Sequence, residues 1–159
     1  MKLSAQEEYG LRCLLHMVRQ GEGASLSIPE ISRAEGLSVP NVAKLMRILR
    51  MGGFVKSVRG QSGGYILARP AAEISVSKVL ETLGGRLYGP SFCSRHSGLN
   101  DECVHNADCG IRSVWSTLQR VIESVLADTT LADLVRNESE MQSWIQLKVQ
   151  QVLPAHGAV

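Results

Sequence analysis

The stretch Ser27-Ile-Pro-Glu-Ile-Ser-Arg-Ala-Glu-Gly-Leu-Ser-Val-Pro-Asn-Val-Ala-Lys-Leu-Met-Arg47 decides how this 159-residue chain is read. Ser27 is placed to cap a short helix with Pro29 in its first turn, and Gly36 stops that helix. Ser38 then caps a helix from Val39 to Arg50, in which Val42, Leu45, Met46 and Leu49 follow the i, i+3, i+4, i+7 spacing of one buried face. Two capped helices joined by a glycine-containing turn of about three to four residues form a helix-turn-helix. The opposite face of the second helix carries Asn41, Lys44 and Arg47. That face is either solvated or nucleic-acid-binding: Asn can bond adenine through two atoms, and Arg or Lys can read guanine or neutralise phosphate.

The residues that follow favour the second reading. Phe54–Val58 and Tyr65–Ala68 have the character of two short strands, joined by R-G-Q-S-G-G, whose glycines permit a tight or bulged turn. A hairpin directly after such a helix is the wing of a winged helix. Arg59 at its tip is placed for a phosphate or a narrow minor groove. The candidate DNA-facing residues are Ser38, Pro40, Asn41, Lys44 and Arg47 on the helix, and Arg59, Gly60, Gly63, Gly64 and Tyr65 on the wing. The formal charge is only +2, but Arg33, Lys44, Arg47, Arg50, Lys56, Arg59 and Arg69 face Glu35 alone within that span, so the basic excess is local.

Upstream, S-A-Q-E at Ser4–Glu7 is a capping box opening a helix with an apolar face of Tyr9, Leu11, Leu14, Leu15 and Val18. Cys13 lies inside that run and is read as a small buried hydrophobe. Glu8 stands four residues before Arg12, the spacing of a surface ion pair. Downstream, Ser75 starts a helix marked by Val76, Val79, Leu80 and Leu83, and Gly84-Gly85 closes it. A longer helix from Gly110 to Asp128 carries Ile111, Val114, Trp115, Leu118, Val121, Ile122 and Val125 as a nearly continuous seam. Either the chain's own core or a second copy must cover it, and a two-fold dimer would set two recognition helices on a palindromic site. Thr129 or Thr130 caps a last turn, and Met141, Trp144, Ile145, Val149 and Val152 suggest an amphipathic tail that frays in the terminal P-A-H-G-A-V.

Between these helices lies Cys93-S-R-H-S-G-L-N-D-E-C-V-H-N-A-D-Cys109, a loop with three of the chain's four cysteines. Thiolates select soft metals and iron–sulfur clusters, and a pliant loop lets several sulfurs converge. The spacing C-x9-C-x5-C matches no closed zinc pattern and leaves one coordination position to another donor. Zinc with His96 or His105 as fourth ligand, a disulfide, and a cluster all remain open on residues alone. The chain shows no apolar leader and no apolar run of the roughly 18 residues that span a membrane, so a reducing cytoplasmic setting without membrane attachment is expected. No phosphate loop, Ser-His-Asp set or suitably placed carboxylate pair points to an enzyme or electron carrier.

The opening M-K-L-S with Glu8-Tyr9, the wing R-G-Q-S-G-G-Y-I-L-A-R-P, the thiol loop and T-L-A-D-L-V together resemble the Rrf2 family of bacterial winged-helix regulators, in particular its cluster-binding branch. The resemblance covers roughly residues 1–135. It implies a homodimeric transcription factor, usually a repressor, that binds double-stranded DNA at a palindromic operator. It also implies an iron–sulfur cluster, 2Fe-2S or 4Fe-4S, on the positions of Cys93, Cys103 and Cys109. In several relatives an acidic residue matching Glu8 reaches across from the partner subunit. Two departures stand out: the first gap, nine residues, is longer than in some cluster-binding members of a family in which that gap varies, and the histidine that some carry three positions after the last cysteine is Arg112 here.

The expected architecture is thus mainly α (α+β): a winged helix-turn-helix domain with a two-stranded wing and a long dimerisation helix. Residues 1–85 form the DNA-binding domain and 86–110 the cysteine-rich cluster loop. Residues 111–135 form the long dimerisation helix with the short helix after it, and 136–159 the amphipathic tail. A thiol–disulfide switch or a zinc-stabilised regulator on the same DNA-binding fold is the alternative.

Overall fold

The structure, a computed structural model, describes residues 3–60 and 63–152. Gln61 and Ser62 of the wing turn, Met1 and Lys2, and the terminal L-P-A-H-G-A-V lie outside the described residues.

Helix α1 (Ala5–Arg19) begins with the expected capping box: Glu7 N–H donates to Ser4 Oγ at 3.3 Å, while Ser4 N–H donates to Glu7 Oε2 at 2.8 Å. Helix α2 (Ile28–Glu35) repeats the device with Ser27 and Glu30, and the Ser27 hydroxyl and amide hold the Glu30 carboxyl below its ordinary range. Gly36 ends α2 in the left-handed region at φ 64°, where a side chain would be strained. Ser38 holds the N-cap position of α3 (Val39–Met51), but its side chain makes no capping hydrogen bond and stays exposed.

Val42, Leu45, Met46 and Leu49 of α3 are fully buried with Cys13, Leu14 and Met17 of α1, Ile31 of α2, and Phe54 and Val55 beyond the turn. These residues fix the angle between α2 and α3. Strands β1 (Val55–Val58) and β2 (Gly64–Leu67) pair antiparallel, with Val55 opposite Leu67 and Val58 opposite Gly64. Leu26 and Tyr65 exchange backbone hydrogen bonds of 2.9 and 2.8 Å, fastening the wing to the chain before α2. A Cβ at Gly64 would run into the Leu26 backbone, so only glycine admits that approach.

Helix α4 (Val76–Gly84) lays Val76, Val79 and Leu83 on the same core. A four-residue helix, α5 (Phe92–Arg95), interrupts the cysteine loop, and α6 (Gly110–Leu126) follows it. The segment after α6 returns to the winged domain: Val76 N–H donates to Thr129 O at 2.9 Å and Leu131 N–H to Ile74 O at 3.0 Å. Thr129 and Leu131, which the sequence groups with the long helix, are buried in the core. Helix α7 (Glu138–Val152) packs along α6, where Lys148 pairs with Asp128 at 3.2 Å and lies over the Trp144 ring.

Candidate functional site

Two surfaces carry chemistry, and the core above positions both. On the first, α3 presents Ser38, Pro40, Lys44 and Arg47 to solvent with Asn41 half-buried, and the hairpin presents Lys56, Arg59 and Gly60. Among the described residues none of Lys44, Arg47, Arg50, Lys56 and Arg59 makes an ion pair, whereas Arg12, Arg86, Arg136 and Lys148 are each paired with a carboxylate. Five unpaired cations therefore share one helix and the adjacent hairpin, an arrangement that attracts a polyanion. Two residues expected to face DNA have other duties: Tyr65 packs against the core, and Gly64 backs onto Leu26.

The second surface is a cavity of about 250 Å³ lined by Cys93, Cys103 and Cys109, with His96, His105, Tyr88, Phe92 and Trp115 among its walls. All three thiols are half-buried and unpaired in disulfides. Local sequence explains the positions of two. Cys93 sits on α5, where Tyr88 Oη lies 3.7 Å from its sulfur and keeps the phenol above its ordinary range through that contact. Cys109 is the N-cap of α6, its sulfur accepting the Arg112 N–H at 3.3 Å. Cys103 is held through its carbonyl, which accepts Asn106 N–H at 3.0 Å, while the Asn106 carbonyl accepts the Arg112 guanidinium at 3.1 Å.

The donor set fits an iron–sulfur cluster in kind, with three cysteines lining one hollow beside Tyr88, Phe92, Ile111 and Trp115. A single metal ion has no such preformed place: among the described residues no three His, Cys, Asp or Glu side chains are gathered as one ion requires. Four thiolates around zinc would stand roughly 3.8 Å apart. The fourth cysteine, Cys13, is the inert residue expected: burial, with Glu35 nearby, pushes its thiol up to about 11.

Glu8 departs from the sequence arithmetic. Arg12 turns away to Glu35 at the end of α2, with Nε 3.0 Å from Oε2, and His16 Nδ1 stands 3.7 Å from the other oxygen. The competing carboxylate, 23 residues away, is better placed than the one on the same helix. Glu8 is left exposed, and among the described residues its side chain has no ion pair or hydrogen bond.

The spacing also passed over Tyr88 and Gln119. Gln119 is a buried polar side chain on α6 whose Oε1 accepts Tyr88 N–H at 3.1 Å and whose Nε2 donates to Glu123 at 3.0 Å. Its signal was a polar residue four places after Trp115 and three before Ile122, within an otherwise apolar seam.

Residues 3–137 match the Rrf2 family, described as iron-dependent transcriptional regulators. The chain belongs to the Rrf2 family. Among its relatives is Protein rrf2 of Nitratidesulfovibrio vulgaris, 35% identical over 139 residues that cover 87% of this chain and 90% of the relative. Of the solved Rrf2-type structures, T. potens IscR superposes with a TM-score of 0.66 at 32% identity, covering 85% of this chain and 86% of that one. CymR, the global cysteine regulator of B. subtilis, superposes with a TM-score of 0.67 at 26% identity, covering 84% and 95%. The Rrf2 membership and the winged-helix fold with its two-stranded antiparallel sheet were both legible in the sequence. As an Rrf2 protein the chain is a DNA-binding transcriptional regulator of helix-turn-helix type, not an enzyme. No helix among the described residues is long and apolar enough to cross a membrane.

Proposed function

We propose that this Rrf2 protein is a homodimeric, cytoplasmic regulator, most simply a repressor, whose affinity for a palindromic operator is set by an iron–sulfur cluster on Cys93, Cys103 and Cys109. One observation carries the reading: Cys109 lines the thiol cavity and also caps α6. Any force on its sulfur is delivered to the first turn of the long helix. The cluster, when bound, supplies a cross-link that oxidants, nitric oxide or iron shortage can weaken.

The chain's own residues do the rest. Ile111, Val114, Trp115 and Leu118 form an apolar stripe on α6 that is 37–63% exposed, and a second copy of α6 would cover it. Two α3 helices would then enter successive major-groove segments, Asn41, Lys44 and Arg47 meeting bases and phosphates and Arg59 the backbone or minor groove beside them. Glu8, exposed and unpaired, is free to reach a neighbouring protomer's cavity as the family resemblance implies. Holding or releasing the loop would change the angle between the two winged domains and hence the spacing of the α3 pair. A coupling of about 1–3 kcal/mol shifts operator occupancy about 5- to 150-fold.

The test is iron and acid-labile sulfide analysis, with the visible spectrum, of protein purified without oxygen, followed by binding to operators selected from random DNA with and without the cluster. Stoichiometric iron and sulfide and a cluster-dependent affinity are expected. Colourless protein that resists reconstitution, yet binds DNA according to dithiothreitol, would replace the cluster by a thiol–disulfide switch on the same fold.

A further inference from the structure

The fourth coordination position of the proposed cluster has a donor inside the same loop. His96 follows Cys93 by three residues, and its backbone N–H donates to the Cys93 carbonyl at 3.1 Å, so the two side chains share one face of a single turn. Both line the thiol cavity. The imidazole is held from two directions. Its Nδ1 lies 2.7 Å from the Phe92 carbonyl oxygen, and its ring stacks on the Phe92 ring with centroids 4.3 Å apart and planes 23° from parallel.

A carbonyl oxygen has no proton to give, so Nδ1 carries the hydrogen and donates. In the neutral ring the lone pair is then on Nε2, the atom free of that bond. A histidine whose one nitrogen donates to a backbone carbonyl while the other is free has the outer-shell arrangement common to metal-ligating imidazoles, fixed in tautomer and orientation before a metal arrives. His105, the other histidine of the cavity, has no such tether among the described residues.

We infer that His96 Nε2 is the fourth ligand of the cluster, completing a Cys93, His96, Cys103, Cys109 set within one protomer. This assignment rests on the cluster reading above and makes Glu8 of the partner subunit a competitor for the same position. It gives the chain a way to hold the cluster before two protomers meet. Imidazole in place of a fourth thiolate removes one negative charge from the ligand set, which raises the reduction potential relative to four thiolates.

The deciding experiment is pulsed electron paramagnetic resonance on the reduced cluster of full-length protein, grown with and without ¹⁵N-histidine. The coupling of a directly bonded histidine nitrogen is expected in the wild type and in His105→Ala. It is expected to vanish in His96→Ala or, if that variant loses its iron, in His96→Cys, where an all-thiolate cluster should assemble with a lower potential. A wild-type cluster without nitrogen coupling, a coupling that survives His96→Ala, or loss of iron from both His96 variants overturns the assignment and leaves the cluster reading standing. Protein that takes up no iron overturns both.

Discussion

The winged-helix core and the cysteine loop are neighbours in sequence and opposites in construction. In the core, Leu14, Ile31, Val42, Met46 and Leu49 are wholly buried, two helices open with reciprocal capping boxes, and the wing is laced to Leu26 by paired backbone bonds. In residues 86–109 no residue is fully buried, and order rests on a few side-chain contacts around Tyr88, Phe92 and Arg112. Burial and backbone pairing supply most folding free energy, so stability resides in the first region and the second is left adjustable. In the cluster-controlled regulator proposed above, that division keeps the DNA-reading surface the same in every state and confines the change to the cysteine loop.

The largest expected effect that would break this contrast is on stability. Leu14→Ala should cost about 2–5 kcal/mol in denaturant unfolding, because it empties a packed site, whereas Leu99→Ala in the loop should stay within about 0.5 kcal/mol. Equal losses would show that the loop shares the core's cooperative unit. Next comes thiol chemistry. In iron-free protein near neutral pH, iodoacetamide should label Cys93, Cys103 and Cys109 while Cys13 reacts only on unfolding. The rise of the Cys13 thiol from 9.0 to about 11, mainly through burial, lowers its thiolate fraction on the order of a hundredfold before burial itself blocks access. The same shift has a stability consequence of fixed sign. The fold keeps its proton where the unfolded chain loses it, so this contribution is complete below pH 9.0 and drains away as pH rises toward about 11.

A smaller effect sharpens the comparison within the core. Ser27→Ala removes the acceptor that caps α2 and should lower stability by about 1 kcal/mol, read by thermal or denaturant melts, without altering iron content. The subtlest change concerns DNA. Arg59→Ala should reduce the slope of log affinity against log salt by about one contact and weaken all sequences alike, measured by fluorescence anisotropy. An unchanged slope would remove Arg59 from the phosphate contacts.

The capped helices and the hairpin were readable because their signals are local: Ser27 and Glu30 are three residues apart, and the turn glycines sit between the strands they join. What escaped depends on contacts that spacing does not encode. Arg12 has two carboxylates in reach, and only the tertiary arrangement shows that Glu35 wins. Thr129–Leu131 follows the long helix in sequence yet pairs with Ile74 and Val76. Ser38 has the right position for a cap but leaves its hydroxyl unused. In the candidate cluster site the three thiols were plain from residue type alone. The tether on His96 was not, since it is an interaction between an imidazole and a carbonyl that any helical turn could offer and few complete.

The return of Leu131 to the core anchors the far end of α6 to the winged domain, while its first turn stands at the thiol cavity. Its 17 residues span about 25 Å from the thiol cavity to the Thr129 anchorage. With Leu131 as the fulcrum, a tilt of about 10° sweeps the cysteine end through about 4 Å, comparable to the breadth of a side chain. Read in reverse, displacements of a few ångströms at the loop are geared down to a rotation of a few degrees at the winged domain; in the dimer proposed above, that is the scale on which two reading heads would fall into or out of step with the turns of a duplex.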